Sequence, residues 1–371
     1  MKKYILPDYN NCLLNLVSSL HKFYGLEHDY KTLSVLDEEL SKGYRTVIVL
    51  LLDGMGSFIL DKHKEATPFL RSHKVTDYLS VFPCTTAAAT TSLINSKAPI
   101  ESGWLGWHQY FKQIDHDVIM FTGKGYYDKV IDEPNPSYQY LPFVHFIDVL
   151  KGKGVNATYV FPKWYKPYPS RNLNDFFNKI KKFANNGGDQ KQYMYAYCEE
   201  PDHSLHDCGT QNIHVSKVLK DLDKRVRKLA DKLPEDTLLI ITADHGHHDV
   251  TELNILDHQD LVDTLVRLPS IEPRNCTFFV KEGRKKEFEE LFKRYYGDYF
   301  LLMTKQEVYD KKLFGLGKPH PLADDFIGDY LAMAIDDYQL VGSYNKKPMK
   351  SAHAGILEDE MTIPLILVHK K

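Results

Sequence analysis

Three short apolar runs in this chain each stop against acidic residues, and that repeat restricts the fold more than any other feature. The first is Thr46-Val47-Ile48-Val49-Leu50-Leu51-Leu52, ending in Asp53-Gly54. The second, Tyr193 to Cys198, runs into Glu199-Glu200-Pro201-Asp202-His203-Ser204-Leu205-His206. The third, Thr237 to Thr242, runs into Ala243-Asp244-His245-Gly246-His247-His248. A continuous apolar run of this length is the pattern of a strand buried on both faces of a parallel sheet. Open sheets of that kind carry their ligand sites at the carboxyl ends of the strands. Between the second and third runs, Val218, Leu222, Val226 and Leu229 fall at helical spacing inside Ile213 to Leu233, an ordinary crossover helix. Phe143 to Leu150 and Asn156 to Val160 supply one more helix and strand. The alternation predicts an α/β fold built on a doubly wound, mainly parallel sheet.

A length of 371 residues allows two to three units, or one large domain with an insertion. After about Val250 the texture changes. Cys276 to Val280, Tyr299 to Met303, Ile327 to Ile335 and Gln339 to Ser343 read as short strands around a charged helix, Arg284 to Tyr296. The expected organisation is a catalytic core of residues 1–250 and 346–371, closed by a return strand at Ile363 to Val368. A small α+β lid, residues 251–345, is inserted in it. Near the start, Leu13, Leu16, Val17, Leu20 and Phe23 mark an amphipathic helix expected to pack outside the core, and Tyr30 to Leu40 a second helix.

Net charge is -3, so no basic field advertises a nucleic-acid polymer or an anionic membrane as partner. No stretch approaches the roughly 18 apolar residues of a membrane span, and no run of signal-peptide length follows Lys2 and Lys3. The five scattered cysteines include no CxxC pair, which fits free thiols in a reducing compartment. The expectation is a soluble, cytoplasmic protein. Its oligomeric state is not written in the sequence.

The chemistry gathers around Val81-Phe82-Pro83-Cys84-Thr85-Thr86-Ala87-Ala88-Ala89-Thr90-Thr91-Ser92-Leu93. A proline delivers the chain into hydroxyls at the start of a buried helix, where free N–H groups and the helix dipole favour an alkoxide or a phosphate. A threonine is a poor nucleophile unless a base or metal lowers its pKa. Asp53, Asp202, His206, Asp244, His245 and His353 are the candidate ligands. Asp202 and His206 are four apart and reach one ion from a single turn; the adjacent pair Asp244 and His245 suits a site shared between two ions. Singly, a strand-end Asp is often a cap and a lone His a surface residue. Jointly they converge on one sheet edge, and the mixed carboxylate–imidazole set matches two divalent cations, Zn²⁺ or alternatively Mn²⁺, better than Ca²⁺.

At these residues the chain resembles the type I phosphodiesterase and nucleotide pyrophosphatase branch of the alkaline phosphatase superfamily. Leu52-Asp53-Gly54, Phe82-Pro83-Cys84-Thr85-Thr86, Pro201 to His206, Thr242 to His247 and Ala352-His353-Ala354-Gly355 carry the resemblance, in order and over most of the chain. It implies an alkaline phosphatase-like fold, with Asp202, His206 and His353 on one ion and Asp53, Thr86, Asp244 and His245 on the other. It further implies that Thr86 attacks in line to give a phospho-threonine, that water hydrolyses this, and that the insertion sets specificity. The substrate would be a small phosphate ester, a nucleotide being one candidate, with a phosphodiester or pyrophosphate bond cleaved.

Two positions depart from the family pattern. Leu205 replaces a glycine beside the motif histidine, leaving the Asp–His spacing intact. Ala89 stands where an asparagine helps bind the phosphoryl oxygen, so metals and backbone N–H groups would take that role. Trp104, Trp107, Tyr126 and Tyr127 are candidate pocket residues, and Gly123 and Gly125 lack phosphate-loop spacing. A sulfatase is disfavoured, because Cys84-Thr85-Thr86-Ala87-Ala88 lacks the Pro and the Arg of the Cys-x-Pro-x-Arg signature. A phosphomonoesterase or phosphomutase, and a non-catalytic metal-stabilised binding protein, remain as alternatives.

Overall fold

The computed structural model describes residues 3–127, 131, 134–163, 169–344 and 347–370. The expected boundary at 345/346 lies outside them, as does Lys2. The central sheet has six strands in the order Lys74–Leu79, Thr362–Val368, Thr237–Thr242, Thr46–Leu52, Gln192–Cys198, Asn156–Val160. The last four are mutually parallel, whereas Thr362–Val368 runs antiparallel to both its neighbours. Every residue of Thr46–Leu52, Gln192–Cys198 and Thr237–Thr242 is buried, as the unbroken apolar runs require of strands covered on both faces. Because Thr46–Leu52 lies between the other two, with Leu52 level with Cys198 and Leu51 with Thr242, Asp53 emerges between the loops that follow its neighbours.

A second six-stranded sheet has the order Phe300–Thr304, Tyr330–Ala334, Asn275–Phe278, Ser270–Glu272, His108–Phe111, His116–Ile119. Its strand pairs are antiparallel. It draws two strands from 108–119, outside the 251–345 segment, joined through Ile271 opposite His108. Tyr330–Ala334 shows how it is held: Tyr330, Ala332 and Ala334 pack into a local cluster with Phe288 and Phe292 of the helix Lys285–Tyr296. Leu331 and Met333 point the other way into the main core. That is the period of two expected of a strand covered on both sides.

The helix Leu13–Phe23 corrects the expectation that it packs outside the core. All residues from Leu13 to Leu20 are buried, including Asn15, Ser18 and Ser19, because the helix packs against both Ser34–Leu40 and Thr86–Asn95. No helix of the described residues is long and apolar enough to cross a membrane.

Candidate active site

Asp53 follows the central strand and is followed by Gly54, whose φ of +71° and surroundings exclude a side chain: a Cβ there would lie 2.9 Å from His247 Cδ2 and 3.0 Å from Asp202 Cα. The glycine lets two strand-end loops close over one another. Its N–H donates to Asp244 Oδ1 at 3.1 Å, and the Asp202 N–H donates to the Asp53 carbonyl at 3.0 Å. The carboxylates are therefore positioned by backbone bonds between the three loops.

The short helix Asp202–Cys208 puts Asp202 and His206 on one face, Oδ1 to Nε2 at 3.3 Å. His247 Nε2 lies 2.6 Å from the same oxygen, and His353 Nε2 3.9 Å. These four form one cluster, and Asp53, Asp244 and His245 a second; within each, the candidate ligand atoms lie within 4.8 Å of one another. The rings of His245 and His353 stack at 3.7 Å, so the two clusters adjoin. Thr86, the first residue of the helix Thr86–Asn95, puts Oγ1 3.1 Å from His245 Nε2 and 3.5 Å from each Asp53 carboxylate oxygen. All seven residues singled out in the sequence meet here.

Hydrogen bonds orient the histidines. His206 Nδ1 donates to the Ser351 carbonyl at 2.8 Å and His245 Nδ1 to the Gly246 carbonyl at 3.0 Å. Ser351 Oγ spends its one proton on the Leu205 carbonyl, so it accepts from His247 Nδ1. At His245 and His247 the Nδ1 proton leaves the Nε2 lone pair facing the carboxylates, the arrangement of metal-bound imidazoles, and at His206 the Nδ1 bond points Nε2 the same way. Burial, then the charge of Asp202, pushes Asp53 well above the usual carboxylate range. Burial, then Asp53, does the same to Asp244. Burial also opposes charge on Asp202, but His206 and His247 override it and hold that group well below its usual value. Burial lowers His247 to about 4, while Asp202 overrides burial at His206 and lifts it to about 9. Asp244 Oδ2 and His353 Nδ1 are buried without a hydrogen-bond partner. Crowded carboxylates faced by imidazole lone pairs are a site short of positive charge, and divalent cations fit it.

His247 was not among the expected ligands. Its signal was available: in an extended segment His245 and His247 share one face. Tyr197 was also missed; its hydroxyl donates to Asp53 Oδ2. Leu205 is wholly buried, which explains why a large side chain is accepted beside the motif histidine. Of the candidate pocket aromatics, Trp104 is fully buried with its indole N–H on the Leu141 carbonyl. Tyr126 stacks on His108 at 3.5 Å, and Tyr127 donates to the Pro269 carbonyl. Trp107 alone of these four is exposed, at 39%.

A model of the type I phosphodiesterase / nucleotide pyrophosphatase family matches residues 47–356. No curated protein matches. Among solved structures, murine ectonucleotide pyrophosphatase / phosphodiesterase 5 aligns with a TM-score of 0.64 at 18% identity, over 87% of this chain and 88% of that one. The human protein of that name gives 0.64 at 16% identity, over 87% of each chain. An inactive form of the murine protein, solved in complex with AMP, gives 0.64 at 18% identity and the same coverage of 87% on both sides. These likenesses establish the fold. The matched span runs from the first sheet strand past His353, and the chain belongs to the type I phosphodiesterase / nucleotide pyrophosphatase family of hydrolases.

Proposed function

We propose that this hydrolase is a two-metal phosphodiesterase working through a phospho-threonine on Thr86. The observation that supports it most is the Thr86 hydroxyl at the mouth of a carboxylate–imidazole cluster, 3.1 Å from His245 Nε2. Asp202, His206 and His353, with His247, would hold one cation; Asp53, Asp244, His245 and Thr86 would hold the other. Two such cations, Zn²⁺ or Mn²⁺ by donor type, would supply a lowered pKa for the threonine and charge neutralisation at the phosphoryl and leaving oxygens. Thr86 Oγ1 releases its proton to solvent and forms the new bond to phosphorus as the bond to the leaving oxygen breaks, and that oxygen takes a proton back from solvent. Water then cleaves the Oγ1–P bond, regenerating the hydroxyl and releasing a phosphate monoester. The Ala89 side chain offers no hydrogen bond, so oxyanion contacts would fall to the cations and to the N–H groups at the start of the Thr86–Asn95 helix.

A nucleotide-like diester is the proposed substrate class, supported by family membership and by the AMP complex of the murine structural neighbour. The proposed location is the cytoplasm, supported by five free thiols. The test is turnover of an aryl phosphodiester by the metal-reconstituted protein. Thr86→Ala should retain bound metal and lose activity by roughly 10³-fold or more, and acid quenching of the wild type should trap on Thr86 the phosphoryl group still esterified to the substrate's second alcohol. An active Thr86→Ala protein would overturn the assignment. Metal uptake without any turnover would favour a binding protein.

A further inference from the structure

Glu272 is a buried carboxylate of the second sheet that lies outside both metal clusters. Its Oε1 accepts two hydrogen bonds, from the Thr85 hydroxyl at 2.5 Å and from the Trp107 backbone N–H at 2.7 Å. One oxygen thus joins the residue before the nucleophile, the segment carrying the exposed tryptophan, and a strand of the insertion. Thr85 is the N-cap of the helix that Thr86 begins, yet its side chain makes no capping bond. A threonine at this position ordinarily turns its hydroxyl to the N–H groups of the first turn; here the hydroxyl is held by Glu272 instead.

The backbone around Glu272 bears the cost of that placement. Ile271, fully buried, has a φ of +85°, a left-handed conformation that a β-branched residue adopts only under constraint. Gly106, next to Trp107, packs so closely on it that a Cβ would lie 2.5 Å from Ile271 Cγ2 and 2.7 Å from its carbonyl oxygen. Burial, opposed in part by the bond from Thr85, pushes Glu272 up to about 7. A strained neighbour, a close glycine contact and a buried acid converge on one clamp.

We propose that Glu272 is a positioning residue: by holding Thr85 it fixes the approach of Thr86 to the metal clusters, and it couples the insertion to the nucleophile. The inference rests on Thr86 being the nucleophile. A strand of the insertion then acts on the rate of the chemical step, not only on which substrates fit.

The experiment compares Glu272→Ala, Glu272→Gln, Thr85→Val and the Glu272→Ala/Thr85→Val double variant, metal-reconstituted, on an aryl phosphodiester. Metal content and melting temperature are recorded for each. Glu272→Ala should lower kcat by about 10- to 100-fold, the range for losing hydrogen bonds to a carboxylate, with KM within about 3-fold. Glu272→Gln keeps an acceptor and should recover most of the rate. Thr85→Val should show a comparable loss, and the double variant no more than the larger single loss, because both act through one bond. Independently of activity, hydrogen–deuterium exchange should show the Trp107 amide exchanging about 10-fold faster or more in Glu272→Ala than in wild type. Wild-type kcat in Glu272→Ala, or additive losses in the double variant, would overturn the proposal. If the wild type itself does not turn over, the Thr86 reading fails, and unchanged Trp107 exchange would then remove the clamp as well.

Discussion

Arg274 meets Glu360 in a two-pronged ion pair, Nε to Oε1 and Nη2 to Oε2 each at 2.7 Å, with both residues fully buried. The pair is a junction. Arg274 also donates to the carbonyls of Asp336 and Tyr338. Glu360 accepts from the Gly355 N–H at 2.9 Å, two residues past His353, and its carbonyl accepts from the Gly246 N–H, beside His245. Arg274 is therefore a bracket between the 336–338 segment and the loops that carry His245 and His353, not a cation free to reach substrate. Removing one partner leaves a buried, uncompensated charge, which costs about 3–5 kcal/mol. Arg274→Met should destabilise by that order and Glu360→Gln by less. The double variant should be more stable than the sum of the two losses predicts. Chemical denaturation of all four proteins checks it, and simple additivity would refute the coupling.

His247 is expected to help hold the cation nearest Asp202. Its Nδ1 proton is committed to Ser351 Oγ, so an unprotonated Nε2 sits 2.6 Å from a carboxylate oxygen. Two lone pairs at that distance repel unless a cation or a proton lies between them. His247→Ala should weaken metal binding by about 10- to 100-fold, the usual cost of losing a ligand's support. A chelator competition titration measures this directly. Unchanged affinity would mean that Asp202, His206 and His353 suffice.

The sequence exposed these loops so readily because strands buried on both faces must be apolar throughout, and each such run here ends at a carboxylate of the candidate site. The strand Lys74–Leu79 was not legible. It lies on the sheet edge, has only Tyr78 fully buried, and carries lysine, threonine and aspartate. The hairpin at 108–119 was hidden for a related reason: its strands begin with histidines, and its pairing partner lies far along the chain at Ile271. For Leu13–Phe23 the polar face misled. Asn15 is buried because its amide serves the Tyr9 and Lys31 carbonyls, and Ser19 because its hydroxyl accepts from Leu33 N–H. Long-range hydrogen bonds of that kind leave no periodic trace. Glu272 is the same case at the site itself, since nothing local marks a glutamate that will meet Thr85 across 187 residues.

Glu272 should also leave a mark on the pH dependence of stability. Burial raises its folded pKa from 4.5 to about 7, so between those values the native state binds a proton the unfolded chain has lost. A carboxyl shifted in this direction stabilises fully below pH about 4.5, and that contribution is lost as pH rises through about 7. The shift corresponds to roughly 3 kcal/mol. Glu272→Gln lacks the titration, so it should gain stability relative to wild type by that order between pH 5 and 8. Parallel denaturation curves on the chelator-treated proteins test this, and two profiles of identical slope would count against it.

Diesters should be better substrates than monoesters. A monoester presents a dianion, and enzymes that favour it commonly add a guanidinium fork to their metals. The arginines of the 251–345 segment are committed elsewhere: Arg274 to Glu360, and Arg284 to Glu287 on the surface. Arg267 lies over the rings of Tyr110 and Phe279 at 3.8 and 3.7 Å, and Arg294 is exposed on the helix Lys285–Tyr296. Trp107, 39% exposed, bonds through its backbone N–H to the same Glu272 oxygen that holds the Thr85 hydroxyl. An indole suits an apolar or stacked ester group better than a second negative charge. The kcat/KM for an aryl phosphodiester should exceed that for the matching monoester by about 10-fold or more, at equal metal loading. Trp107→Ala should shrink the difference by raising KM for the diester while leaving the monoester rate nearly unchanged. A monoester preference in the wild type would refute this and point to a cation outside the insertion.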